Sequence, residues 1–460
     1  MHIKKISIKG LRGFATKSEM KLGIPNGSAG SGLSTLVGPN NSGKSTIIEA
    51  FNALNSRDTP SFSTGKRNVK AGDKVEIILE NTDGNQKSII SQENSSSETN
   101  FLNREIEPTP EKIYVIPSRR YFNPYFNKNE VNRERYVLNN SLPQYRGAEI
   151  RQFSQRLFDI QNNKKEEFND ALGKVLTPCP NWTIDRSDHG QYFLKFKYDE
   201  LSHSSDGVGD GIISLFFAIS SLFDSREEDI IVIDEPELSL HPSLQKKLMS
   251  SFKHYAKSRQ IIISTHSPYF IDVESIVNGG RIVRVNKDKL DSNIHILSEE
   301  IADKFDRFTR NYNNPHVFGL TSKEVFFLDD NIILTEGQED VIFYNKLLNQ
   351  LNLDMNAKFY GWGVGGAGNM DFFSQILKEL GFKKVIGVLD NDKQHMLEEL
   401  NQNFGDFRYL CIPADDIRTK EARPAMEERK GLLDEDYELR EEYHVQTEDF
   451  FEVIINYFQE

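Results

Sequence analysis

The sequence predicts an α/β protein in two parts, a larger N-terminal part and a smaller C-terminal part built on a mostly parallel sheet. Three observations predict it. The runs IIVIDEPE (230–237) and IIISTHSP (261–268) are continuously apolar and end in polar tips, as strands buried on both faces of a parallel sheet do. Past residue 330, NIILTEG, AKFYGWG, KKVIGVLDND and FRYLCIP alternate with helical stretches, the order that builds a mostly parallel sheet. The chain has 460 residues, and one hydrophobic core stops growing near about 250–300.

Taken in order, HIKKISIKGLRGF alternates as a half-buried strand, STLVG (34–38) is a short strand entering a glycine loop, and STIIEAFNAL has helical spacing. Residues 58–105, rich in Ser, Asn, Gly and charge around KVEIILE, suggest hairpins with loops. EKIYVIPSRR reads as a strand ending in two arginines, and the charged helical pattern of 147–175 suggests a projection from the core. QYFLKFKY is an alternating strand, IISLFFAISSLF an apolar helix and GGRIVRV another strand, followed by helical sequence to about 310. The expected division is 1–310, a linker at 311–328, and 329–460.

Net charge is −13, unevenly spread: residues 329–460 hold 28 acids against 13 bases, and the remainder 41 against 43. The acidic part repels phosphate backbones unless bound cations intervene; a well-solvated surface accounts for the same charge. The two cysteines, Cys179 and Cys411, stand far apart, and no apolar run reaches the roughly 18 residues that cross a bilayer. With no secretory leader after Met1, the expectation is a soluble, cytoplasmic protein without membrane or disulfide chemistry.

GPNNSGKS (38–45) fits G-x-x-x-x-G-K-S between a strand and a helix. Gly38 and Gly43 let the backbone curl so that N–H groups face phosphates, together with Asn40, Asn41, Ser42 and Thr46; Lys44 neutralises the β- and γ-phosphates and Ser45 ligates Mg²⁺. Asp234 at a strand tip completes the Mg²⁺ shell, and Glu235 is placed to polarise a water. His266, at a neighbouring tip, is a γ-phosphate sensor, although a lone histidine there is more often structural. SSDGVGDG (204–211) precedes an apolar helix, and its turns make an anion site or a plain flexible turn.

In the C-terminal part Glu336 ends one strand, Asp340 lies one turn into the next helix, and Asp390 and Asp392 end another strand. Such strand-end carboxylates suit Mg²⁺ or Mn²⁺. GWGVGGAGNM between them lets a phosphate or backbone approach closely.

The four N-terminal motifs in this order resemble an ABC-type ATPase head, the class of the SMC and RecF proteins. The glycine signature departs from the usual LSGGQ, so which of Ser205, Gly207, Gly209, Asp210 and Gly211 reaches a phosphate stays open. The E-G, glycine turn and D-x-D of residues 329–460 resemble a TOPRIM domain, and Glu448 or Asp449 resembles the late acidic motif of OLD-type enzymes. An ABC-type head followed by TOPRIM is the organisation of the OLD family. That resemblance implies ATP and Mg²⁺ or Mn²⁺ as cofactors and Glu235, His266, Glu336, Asp340, Asp390, Asp392 and Glu448 in catalysis. It also implies DNA as substrate, a homodimer or higher even oligomer through the heads, antiphage defence, and a possible second defence protein. Lys393, Arg418, Lys420 and Lys430 are unranked candidates for attending the reacting phosphate, and Arg119 and Arg120 with Tyr121, Phe122 and Tyr125 a candidate DNA contact. Two rivals keep the ATPase: a sensor or scaffold that does not cut, and a RecF-like repair ATPase.

Overall fold

The computed structural model describes residues 1–56, 59–95, 97–106, 112–116, 148–186, 192–198, 201–204, 210–289, 291–305, 318–420 and 429–459. The arginine–aromatic cluster at 119–125, Ser205, Gly207 and Gly209 lie outside them.

The first part of the chain places an antiparallel sheet beside the phosphate loop. β1 (Ile3–Lys9) and β2 (Ser18–Lys21) precede β3 (Leu33–Val37), which runs into α1 (Lys44–Asn55); β4 (Glu76–Asn81), β5 (Gln86–Ser91) and β6 (Thr99–Leu102) follow. The order β2-β1-β4-β5-β6 is antiparallel throughout, as the turn-rich 58–105 segment suggests.

The chain continues with β7 (Ile113–Ile116), α2 (Ala148–Asn163), α3 (Lys165–Gly173), β8 (Asn181–Arg186), β9 (Tyr192–Tyr198) and β10 (Leu201–Ser204). Next come α4 (Asp210–Asp224), β11 (Ile230–Asp234), α5 (Pro242–Tyr255), β12 (Gln260–Ser264), α6 (Val273–Val277), β13 (Arg281–Asp288), β14 (Asp291–Ile296) and α7 (Glu299–Lys304). A six-stranded sheet, β14-β13-β3-β12-β11-β7, is parallel except at β14. Its strands are apolar on both sides because each face has its own core. Ile231, Ile233, Ile261 and Ile263 pack toward α2–α5, whereas Ile230, Val232 and Ile262 pack toward α1 and the antiparallel sheet. Helices α2 and α3 do not project, contrary to expectation. Leu157, Ile160, Phe168 and Leu172 recur at helical spacing and are at most 1% exposed, so the charged residues between them form only the outer face.

The last part comprises α8 (Leu320–Glu324), β15 (Ile332–Leu334), α9 (Gln338–Gln350), β16 (Lys358–Phe359), α10 (Met370–Glu379), β17 (Val385–Leu389), α11 (Gln394–Asn403) and β18 (Arg408–Cys411). Short strands β19 (Asp416–Arg418) and β20 (Gly431–Leu433) and helix α12 (His444–Gln459) complete it. The sheet β16-β15-β17-β18 is fully parallel. Ile332, Leu334, Val385 and Leu389 face one core; Ile333, Ile386 and Val388 face another, closed by α9 and α12. The first of these cores also contains Val37, Ile282, Leu297 and Phe305. The phosphate-loop strand and the C-terminal sheet therefore share one apolar interior.

Candidate functional site

Sheet order brings the three N-terminal tips together, because β3, β12 and β11 are neighbours. Gly38 has φ 129°, and a Cβ there would fall 2.0 Å from Val285 O, so only glycine fits between this loop and β13. Ser42 and Thr46 are buried, Asn40, Asn41 and Ser45 are exposed, and Gly43 has φ 122°. Lys44 is 5% exposed. Its Nζ donates to Gly38 O and Pro39 O, each at 2.8 Å. Burial pushes its ammonium down to about 8, opposed by Glu235, Asp234 and Glu237. An ammonium satisfied only by loop carbonyls is ready to transfer to a phosphate.

Asp234 pairs in register with Ser264. Burial raises its carboxyl pKa, against hydrogen bonds from Ser264 and Ser45. The buried Asp234 Oδ1 has no hydrogen-bond partner. That orphan oxygen fits a cation. Glu235 sits at φ 50°, a left-handed conformation that costs about 1–3 kcal/mol in a non-glycine residue. His266 Nε2 lies 3.9 Å from Glu235 Oε1. Glu237, absent from the sequence-derived set, accepts from His266 N at 2.5 Å and Thr265 Oγ1 at 2.8 Å and so fixes the histidine loop. Gly211, the second residue of α4, lies so close to this region that a Cβ would stand 2.3 Å from Ser239 O.

In the C-terminal part, parallel β15 and β17 are adjacent, and their tips meet: Asp390 N donates to Glu336 Oε1 at 2.9 Å. Asp340 caps α9, accepting from Gly337 N at 2.8 Å. Asp416, which sequence reasoning missed, is 1% exposed and bonds Lys420 Nζ at 2.6 Å. Burial first, then Glu336, Asp416 and Asp340, push the Asp390 carboxyl up to about 8. Burial takes Asp340 to about 6. Asp390 Oδ1 is buried without a partner. Among the described residues no three His, Cys, Asp or Glu side chains are gathered tightly enough to hold an ion as they stand. The buried acids nevertheless fit a divalent cation, since an orphan oxygen and mutual repulsion are what such a charge would relieve.

Asp392 is turned to Lys393 Nζ at 2.7 Å and Arg429 Nη2 at 3.0 Å. Arg429 is a second residue that the sequence did not suggest. Arg418 makes a forked pair with Glu339, at 3.0 and 2.8 Å. Lys430 pairs outward with Glu442 at 2.6 Å, which separates it from Lys393 and Lys420. Glu448, on α12, faces His444 at 3.7 Å, and Asp449 is exposed. The glycine turn packs on the Glu336 loop: Val364 N donates to Thr335 O at 2.9 Å and Gly366 N to Glu336 O at 2.7 Å.

Residues 33–272 match the family model described as an AAA domain, putative AbiEii toxin, type IV toxin–antitoxin system. Residues 327–392 match the TOPRIM domain of overcoming-lysogenization-defect-like proteins. The OLD nuclease of Thermus scotoductus is 25% identical over 416 residues, covering 78% of each chain. The Old nuclease of Escherichia phage P2 is 28% identical over 35% of this chain and 27% of its own. The Septu protein PtuA of Bacillus thuringiensis is 26% identical over 60% of this chain and 74% of its own. Among solved structures, the SMC head domain of Thermotoga maritima is 15% identical, with TM-score 0.39, over 65% of this chain and all of that one. Among the described residues no helix is long and apolar enough to cross a membrane.

Proposed function

The chain belongs to the OLD-type ATPase–nucleases, an AAA domain joined to an OLD-like TOPRIM domain, and from that premise we propose that it is a divalent-metal-dependent DNA endonuclease whose cutting is set by nucleotide state, in antiphage defence. The observation that carries the reading is the junction of Glu336 and Asp390 at adjacent strand tips, with one buried carboxylate oxygen left unpaired. Glu336, Asp390 and Asp392 would hold the divalent ions, with Asp392 now paired to Lys393 and Arg429. When bound, such ions polarise the phosphodiester and supply an activated water. Lys393, Lys420 and Arg429 then attend the phosphate's negative charge. Asp340 holds the Glu336 loop through Gly337 N. Glu448 belongs to a second metal position only if α12 is brought toward the carboxylates, which its His444 contact does not favour.

At the other site Lys44 transfers from its loop carbonyls to ATP phosphates, Ser45 and Asp234 hold Mg²⁺, Glu235 orients water and His266 contacts the γ-phosphate. The signature glycines of a second copy close the site, so the working form is an even homo-oligomer. Residues 1–310, 311–328 and 329–460 are the proposed ATPase, linker and TOPRIM segments.

The test is a time course on supercoiled and linear DNA with Mg²⁺ or Mn²⁺, with and without ATP, for wild type and Asp390→Ala/Asp392→Ala. Products that vanish in the double mutant support the nuclease. No product from either protein, with ATP still hydrolysed, overturns it in favour of a non-cutting sensor.

A further inference from the structure

Arg284 is a cation buried to 0% exposure in the middle of β13, and the hydrogen bonds of its guanidinium leave its own sheet. Nη1 donates to Leu380 O at 2.8 Å, and Nη2 donates to Leu328 O at 2.8 Å and Asp329 O at 2.6 Å. The guanidinium lies over the Phe382 ring, 3.8 Å from its centroid. These acceptors belong to two separate loops. Leu328–Asp329 leads into β15, which ends two residues before Glu336, and Leu380–Phe382 leads into β17, which ends directly before Asp390. Asp330 ties the same two loops, accepting from Lys383 N at 3.1 Å and Lys384 N at 2.6 Å.

The other side of Arg284 is the nucleotide loop. Arg284 is the register partner of Val37, the last residue of β3, and the next residue, Val285, presents the carbonyl against which Gly38 is packed. One residue thus links the two regions, its backbone lying beside β3 and its side chain reaching the roots of both carboxylate-bearing strands. Burying a guanidinium is costly, and a buried apolar residue of similar volume is commonly as stable or more so. Joining two loops in one fixed geometry is something the planar fork does and an apolar side chain does not.

We propose that Arg284 is a positioning residue of the nuclease site: it sets the spacing of the strands that deliver Glu336 and Asp390, and it ties that spacing to the nucleotide loop. The inference rests on the nuclease reading for its activity arm and is independent of it for its structural arm.

The test uses the full chain with Arg284→Met. The expected result is ATP affinity within about twofold of wild type, DNA KM unchanged, kcat lowered at least about tenfold, and the ratio of cleavage rates with and without ATP reduced to one. Hydrogen exchange should rise in 328–336 and 380–390 while 230–234 and 260–264 stay protected. Wild-type kcat and ATP ratio, or exchange rising evenly across all four segments, overturns the proposal. If Arg284→Met does not fold, Arg284→Lys, which keeps the charge and loses the fork, carries the same test, and wild-type behaviour there overturns it. If wild type itself cuts no DNA, the nuclease reading fails separately, and the exchange pattern still decides whether Arg284 holds the two strands.

Discussion

The backbone N–H of Asp390 donates to Glu336 Oε1 at 2.9 Å across two adjacent parallel strands. This contact spends a main-chain donor on holding one carboxylate beside another, although both acids are driven toward their neutral forms by burial. Asp390→Asn keeps the backbone contact and the shape while removing a carboxyl that folding drives toward its neutral form. It is expected to raise the melting temperature of the metal-free protein, by on the order of 1–2 kcal/mol of stability. It should also abolish the stabilisation that Mn²⁺ gives wild type, read in thermal melts without nucleotide. A variant less stable than wild type, or equally stabilised by Mn²⁺, would remove Asp390 from the metal site.

Glu235 carries the second opposition between stability and chemistry. Its φ of 50° is relaxed in glycine and not in glutamine. Glu235→Gly is therefore expected to stabilise the chain by about 1 kcal/mol and Glu235→Gln to leave stability nearly unchanged, while both lose ATP turnover by at least about a hundredfold. Denaturant melts and steady-state phosphate release measure the two effects. Turnover surviving in Glu235→Gln would show that another group orients the water.

The glycine turn beside Glu336 is as tightly constrained as the phosphate loop. Gly363 has φ 89°, and a Cβ there would lie 2.6–2.8 Å from the Gly337 backbone. Gly363→Ala should cost about 2 kcal/mol and, by displacing the residue next to Glu336, lower DNA cleavage more than ATP hydrolysis. Gly368→Ala, at a position with open space around the added methyl, is the control expected to change neither. Equal loss of both activities in Gly363→Ala would mean that the turn serves the whole fold and not the carboxylates.

These sites were legible to the extent that they sit at the ends of continuously apolar strands. Asp234, His266, Glu336 and Asp390 each follow such a run, and a strand buried on both faces leaves its tip as the one place where chemistry meets solvent. Asp416 and Arg429 were not legible, because β19 has only three residues and Arg429 precedes an equally short strand, too little for a periodic signal. The charged pattern of 147–175 concealed Leu157, Ile160, Phe168 and Leu172, whose spacing marks a buried face. Arg284 was hidden differently. In GGRIVRV it follows two apolar residues in a run that does not alternate strictly, and nothing local distinguishes an arginine facing water from one clamped beneath a second sheet.

His295 gives that junction a pH dependence. Its Nε2 lies 3.0 Å from Asn286 Oδ1, and its ring covers Gly381, where a Cβ would meet it at 2.3–2.5 Å. Burial, then Arg284 from β13 and Lys383 from the loop before β17, push its imidazole down to about 4. Above pH 6.5 both folded and unfolded chains hold it neutral, and its contribution to stability is complete. As pH falls from 6.5 toward 4 the unfolded chain takes up the proton and the folded one does not, so that contribution is lost through this window, by on the order of 2 kcal/mol. His295→Gln, which keeps a hydrogen-bonding side chain without the titration, should show a shallower fall in stability between pH 6.5 and 4.5 than wild type. Hydrogen exchange at residues 380–384 should rise over the same interval in wild type only. Parallel pH profiles for the two proteins would mean that His295 stays solvated, and the junction would owe its acid sensitivity to other groups.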